Sequence, residues 1–246
     1  MTRDEALALY RPIRVSIRHV LGIAVRACGR ADQMRAAKQL GIWSEEGIMA
    51  DEDGEALNMM SDIALFEPNQ RGRRAYERFL SAPAEPLDAP ERALAERMGA
   101  SWFSLFRCEG QHAAAGVWLR DLLERERRLW IMDEGMEASM PEDMVFGARL
   151  FDAGPFHAAF GIIVQPDAET IQLCVQTQAS SGRAPFRHSL AATLYGDALR
   201  DGLFDDLDEE ALLPALLEGL AALADGLGQK GRAPAAMPGQ KRRRRS

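Results

Sequence analysis

The sequence predicts an α+β protein with a helical N-terminal domain, a small antiparallel β-sheet or barrel domain, C-terminal helices and a disordered basic tail. Three observations carry that prediction. Apolar residues recur at helical spacing as far as Gly99. Short aromatic and β-branched runs, separated by Gly, Pro and acidic clusters, then take over. From Gly228 onward Gly, Pro, Ala and Arg prevail with no period. The resulting boundaries are 1–99 for the helical domain, 100–178 for the β-domain, 179–228 for the C-terminal helical segment and 229–246 for the tail.

Ile13, Ile17, Val20, Leu21, Ala24, Val25 and Cys28 form one buried stripe of a first helix, with Pro12 in its first turn and Gly29 at its stop. A second helix is expected from Asp32 to Leu40, ended by Gly41. "SEEGIMADEDGE" reads as a loop with a short strand at "GIM". A third helix from Glu55 to Phe66, capped by Asp53, is expected to bury Leu57, Met60, Ala64 and Leu65. Arg73 to Leu80 gives a fourth. "SAPAEPLDAP" breaks the helical pattern, and Asp88 with Glu91 then opens a capping box for a helix ending near Gly99.

"SWFSLFRCEG", "GVWLRDLL", "RRLWIMD", "DMVFGARLFD" and "FHAAFGIIVQ" read as five strands of a strongly bent sheet or barrel. The competing reading of the second is an amphipathic helix from Val117 to Arg128, because the turn at "ERERR" lacks Gly, Asn and Pro. The contiguous apolar run Leu129 to Met132 favours strands. Alternation of Ile171, Leu173 and Val175 with Gln172 and Gln176 predicts a sixth strand. "RHSLAATLYGDALRD" and "DEEALLPALLEGLAALADG" read as helices, the second with a leucine face.

The 246 residues are 47% hydrophobic and 27% charged, which is globular composition. Of the net charge of −7, residues 230–246 supply seven basic residues and no acid, so the rest of the chain holds −14. The body repels polyanions at long range and the tail attracts them. No apolar run reaches the roughly 20 residues of a membrane-spanning helix. "MTRDEALALY" lacks the basic-then-apolar order of a secretion signal. Cys28, Cys108 and Cys174 stand far apart and in no metal-binding spacing, as in a reducing cytoplasm.

"MRAAKQLGIWSEEGIMA" has the first half of a helix-turn-helix. Its second half fails, because Gly47 stands where an aliphatic belongs, and Glu45, Glu46, Asp51, Glu52 and Asp53 would face phosphate. A calcium loop starting at Asp51 would place Ala56 at the glycine position and Asp62 at the bidentate position, so it fails too. His19, His112, His157 and His188 have no partner at a ligand spacing. No nucleophile elbow, phosphate loop, HExxH pair or CxxC is present. Asp121, Asp133 and Glu134 are the acids that strand ends could bring into a cleft. No cofactor or metal is expected.

Two stretches, "AAKQLGIW…EEGIMADEDGEALNMMSDIALFE…GRRAYERFL" and "LAERMGASWFSLFRCEG…GVWLRDLLERERRLWIMDEG…EDMVFGARLFDAGPFHAAFG", resemble a family of bacterial proteins with no assigned function. The resemblance runs from Ile13 to Gly161 and implies a helical part followed by a small all-β domain. It supplies no catalytic residues. Members carry a glycine after "DLL", where this chain has Glu124 and Arg125.

These observations lead to a cytoplasmic, non-enzymatic binding or adaptor protein. A protein partner is expected, together with weak, sequence-independent nucleic-acid contact through Lys241, Arg242, Arg243, Arg244 and Arg245. An enzyme with a site between the helical and β domains is the alternative, followed by a helix-turn-helix regulator.

Overall fold

A capping box decides where the first helix begins. In the computed structural model, which describes residues 1–44, 47–48, 54–82, 87–124, 127–181 and 188–205, the Thr2 hydroxyl accepts from the Glu5 amide and the Glu5 carboxylate from the Thr2 amide. Two orphan donors are thereby satisfied, and α1 runs Arg3–Ala27. Pro12 therefore lies inside the helix rather than in its first turn. Its ring is on the exposed face, where solvent can satisfy the carbonyl that loses a donor.

α2 (Arg30–Leu40) ends as expected at Gly41, which takes φ of 78°. Next comes a two-stranded ribbon, β1 (Trp43–Ser44) against β2 (Gly47–Ile48), with Trp43 opposite Ile48. A ribbon thus stands where a recognition helix would be. α3 (Glu55–Phe66) has Gly54 at its N-cap position, and Asp53, expected as its cap, lies outside the described residues. Leu57 is exposed. The buried face consists instead of Ala56, Met59, Met60, Ile63, Ala64, Leu65 and Phe66. α4 (Ala75–Ser81) and α5 (Ala89–Gly99) complete the helical layer, the latter opened by the Asp88–Glu91 box.

The next segment forms a barrel. β3 (Trp102–Gln111), β4 (Val117–Asp121) and β5 (Arg128–Ile131) make an antiparallel meander. After α6 (Glu134–Ser139), β6 (Val145–Asp152) pairs with β3, and β7 (His157–Val164) fits between β6 and β5. The closed order is β3-β4-β5-β7-β6. β5 and β7 are parallel, Ile131 opposite His157, so the sheet is mixed rather than purely antiparallel. Three meander strands, a crossover and a parallel closing pair are the connectivity of an OB-type Greek-key barrel.

Asp121 explains how the β4–β5 hairpin turns without glycine. Its carboxylate is buried and accepts from the Leu123 and Glu124 amides, both at 3.0 Å, from the Ser104 hydroxyl and from the Trp102 indole at 3.0 Å. Gly116 is needed just before β4, where the chain passes close to β5. It has φ of 75°, and a Cβ there would overlap the Ile131 carbonyl.

The expected sixth strand is a helix, α7 (Ala168–Ser181). Asp167 accepts from the Thr170 amide at 2.7 Å and caps it. That cap outweighs three alternating apolar residues, of which Leu173 and Val175 stay exposed. α8 (Leu190–Asp205) agrees with the expected helix. The second C-terminal helix and the tail lie outside the described residues.

Burial separates two halves of the barrel. Inward residues Phe106, Cys108, Val117, Leu119, Leu129, Ile131, Phe146, Ala148 and Leu150 make its interior. β6 is buried on both faces, because Gly147, Arg149 and Phe151 point outward into the helical layer. β4 and β5 instead alternate buried with partly open or exposed positions. The helices therefore sit on the β6–β7 side.

Arg149 fixes that seating. Its Nε donates to Asp62 Oδ1 at 2.7 Å and its Nη2 to Asp62 Oδ2 at 3.1 Å and to Glu67 at 2.9 Å. Arg149 and Asp62 are each 3% exposed at the side chain. Phe66 and Phe103 lie against the guanidinium, 5.0 and 5.8 Å from their ring centroids. Burial pushes the Asp62 carboxyl up from its ordinary range, opposed by the attraction of Arg149. Burial also pulls on Arg149, but Asp62 and Glu67 hold it firmly protonated.

Replacing Arg149 with Met leaves buried carboxylates without their partner and is expected to cost about 3–5 kcal/mol, read as a lower urea midpoint. The double variant Arg149→Met/Asp62→Leu is expected to lose less than that single variant. A double-mutant cycle on the two residues checks both expectations.

Candidate nucleic-acid interface

The outer face of the meander is the part of the barrel where side chains on two neighbouring strands alternate towards solvent. Strand register sets their order. Arg107 on β3 lies opposite Arg120 on β4, and Arg120 opposite Arg128 on β5. Three guanidinium-bearing residues therefore stand abreast across three strands. Like charges directly opposite each other destabilise a sheet. Glu109 offsets part of the cost by pairing with Arg120 and, at 2.7 Å, with Arg128. Burial tends to push the Glu109 carboxyl up, but the two arginines win and hold it below the ordinary range. Among the described residues, Arg107 has no such partner. The three arginines line an open groove of about 560 Å³ with Glu109, Glu142 and Asp143.

The neighbouring row is aromatic. Trp118 on β4 lies opposite Trp130 on β5. His112, in the β3–β4 loop, stacks on Trp130 with centroids 4.0 Å apart and meets Trp118 edge-on at 4.8 Å. Arg128 covers Trp118, its guanidinium carbon 4.3 Å from the ring centroid. The Trp130 indole donates to the Ala115 carbonyl at 2.7 Å, which locks the ring. The result is a fixed ladder of Trp130, His112, Trp118 and Arg128, each partly or fully open to solvent.

Two histidines are shifted towards the neutral form. Burial, aided by the charge of Arg128, lowers the pKa of His112. Its Nδ1 accepts from the Ala114 amide at 3.1 Å, so the ring proton belongs on Nε2. His157 is lowered by burial and by Arg127, and meets Trp102 edge-on at 5.9 Å.

The acids that the sequence singled out do not converge. Asp121 holds the hairpin turn. Asp133 caps α6, accepting from the Gly135 and Met136 amides, and receives the Tyr10 hydroxyl at 3.0 Å. Glu134 pairs with Arg11 at 2.9 Å. His19 is exposed and pairs with Glu91 at 2.6 Å. No group of three or more potential metal ligands occurs among the described residues. Lys241, Arg242, Arg243, Arg244 and Arg245 lie outside them. Sequence reasoning missed the Arg107–Arg120–Arg128 row and the tryptophan pair, although strict alternation in "VWLRD" and "RLWI" carried the signal that these residues share an outer face.

Fold and face together define an α+β protein with a helix-backed OB-type barrel whose meander presents arginines and tryptophans outward. Residues 4–173 match DUF7986, a family of unknown function, and the chain belongs to that family. The match spans the helical layer and the whole barrel and ends within α7. No curated protein and no solved structure matches the chain. Among the described residues no helix is long and apolar enough to cross a membrane.

Because both histidine pKa values are lowered in the fold, their neutral forms contribute stability that is present above the unfolded value near 6.5. That contribution is lost as pH falls from there through the folded values. NMR titration of the rings is expected to give midpoints below about 6.5 for both. His157→Gln is expected to flatten the decline in melting temperature between about pH 7 and 5.

Proposed function

We propose that this protein is a non-enzymatic binding protein that holds single-stranded nucleic acid on the outer face of its barrel meander, with the basic tail as a second, electrostatic contact. The observation that carries the reading is the row of three arginines beside the Trp118–His112–Trp130 ladder. Single strands offer phosphates and unstacked bases together, and a face that adjoins cations to aromatic rings answers both. The strand pair concerned, β4 with β5, is the face that OB-type barrels use for oligonucleotides. That point is an analogy of fold and adds only to what the residues argue.

Arg107 supplies a cation without a partner among the described residues, and Arg128 offers the outer plane of its guanidinium for stacking. Glu109 tethers two of the arginines. It lets the face assemble without a ligand and limits affinity, since a phosphate must compete with it. The acidic balance of the rest of the chain points the same way, towards weak, salt-sensitive binding. Lys241 and Arg242 to Arg245 would add counterion release without reading sequence.

The test is fluorescence anisotropy with labelled single-stranded DNA and RNA at two salt concentrations. Trp118→Ala is expected to weaken binding by roughly tenfold, the lower end of one lost base stack. Arg107→Gln should leave stability almost unchanged and reduce the salt slope by about 0.7. A chain ending at Gly228 should lose a further part of that slope. Affinity and slope unchanged in all three variants would overturn the reading. Loss only on truncation would confine the contact to the tail.

A further inference from the structure

We propose that the cleft between α1, α3 and β7 is a second, independent site, which binds a small amphipathic anion consisting of one carboxylate or phosphate on an apolar body. The cleft has a volume of about 580 Å³, within the range of pockets that enclose small organic ligands. Its walls are apolar: Ile17, Leu21 and Val25 from α1, Phe66 from α3, Phe160 and Ile162 from β7.

Charge at the mouth has one sign. Arg14, Arg18 and Arg26 line the cleft and are all exposed. They fall at i, i+4 and i+12, so they share one side of the helix. Elsewhere on α1, Arg3 pairs with Glu137 and Arg11 with Glu134. Among the described residues Arg18 and Arg26 have no hydrogen-bond or ion-pair partner, and Arg14 has only a long contact of 3.4 Å to the Ala159 carbonyl. Unpaired guanidiniums are unexpected in a chain with 37 acids against 30 bases, where partners are plentiful. Asp62 is the one acid on the described lining, and Arg149 already neutralises it. Across the cleft, the side-chain amide of Asn58 is exposed and has no partner among the described residues, leaving a further donor. Planar guanidiniums at an apolar mouth suit a carboxylate or phosphate whose hydrocarbon lies inside.

Gly22 holds the cleft open. It fills the i+8 place in the arginine series, and a Cβ there would meet only the Arg26 guanidinium, at 3.6 Å. Neither close packing nor a left-handed backbone requires glycine at this position, and glycine is a poor residue for a helix interior. A larger side chain would project into the cavity while favouring the helix.

The experiment uses the full chain with decanoate, decyl phosphate and uncharged decanol as probes, followed by calorimetry and by NMR shift changes. One molecule of either anion is expected to bind per chain, with decanol at least about tenfold weaker. Arg18→Gln/Arg26→Gln and Gly22→Leu are each expected to weaken decanoate by about tenfold or more with no fall in melting temperature. Cosedimentation with phosphatidylglycerol vesicles, run alongside, reads the source of the anion. Binding to decanoate alone supports a free molecule, and binding to both supports a lipid. Absence of saturable binding by either anion at millimolar concentration, equal binding by decanol, or undiminished binding in Gly22→Leu would overturn the proposal. Neither cleft variant touches Arg107 or Trp118, so failure here leaves the barrel-face reading intact.

Discussion

One buried ion pair, Arg149 with Asp62, positions both candidate sites. It joins the outer side of β6 to α3, and through Glu67 it engages the end of the same helix. Taking both charges out of water costs several kcal/mol per ion, and only good geometry with further hydrogen bonds offsets that cost. Both conditions hold, since the contact is bidentate and Arg149 donates a further hydrogen bond to Glu67 at 2.9 Å. An apolar contact would tolerate sliding of the helix on the sheet. A two-point charged contact does not, so α3 has one place on the barrel.

That placement divides the barrel. β6 loses its solvent side to the helices, and its inner face already belongs to the interior, so it is buried from Phe146 to Phe151. Tyr195 of α8 extends the cover, donating to the Ile162 carbonyl at 3.2 Å and packing edge-on against Phe103. β4 and β5, across the barrel, keep their outer positions. A sheet face left open this way gathers polar and aromatic residues, because nothing selects for apolar ones there. Arg120, Arg128, Trp118 and Trp130 occupy it. The same seating leaves α1 leaning across α3 and β7 with space between them, and that space is the arginine-rimmed cleft.

Both sites share a chemical character, cations beside apolar or aromatic surface in an otherwise acidic chain. They differ in how the cations are held. On the barrel, Glu109 restrains Arg120 and Arg128, and Trp118 holds Arg128 a second time, so the face is preorganised and its charge partly neutralised. At the cleft, Arg18 and Arg26 are unrestrained among the described residues, and binding there carries the entropy of ordering two long side chains. A preorganised face suits a repeating polymer bound through many weak contacts. Exposed arginines over an apolar pocket suit one compact ligand.

Signals local to the chain were enough to locate most elements. Periodicity placed α2, α3 and α5, the Asp88–Glu91 box set the start of α5, and five aromatic-rich runs became the five barrel strands. Such reading erred where one polar group outvoted a pattern. Thr2 with Glu5 moved the start of α1 ahead of Pro12, and Asp167 turned an expected strand into α7. The β4–β5 strands agree with the expectation even without a turn glycine, because Asp121 makes that turn instead. The parallel pairing that closes the barrel, and the register that sets Arg107, Arg120 and Arg128 abreast, emerge only in the folded arrangement. So does the burial that tells Arg149 from Arg18. The reason is physical: periodicity records which face of an element avoids water, whereas register and ion pairing depend on residues up to 134 positions apart, whose proximity exists only once the chain has folded.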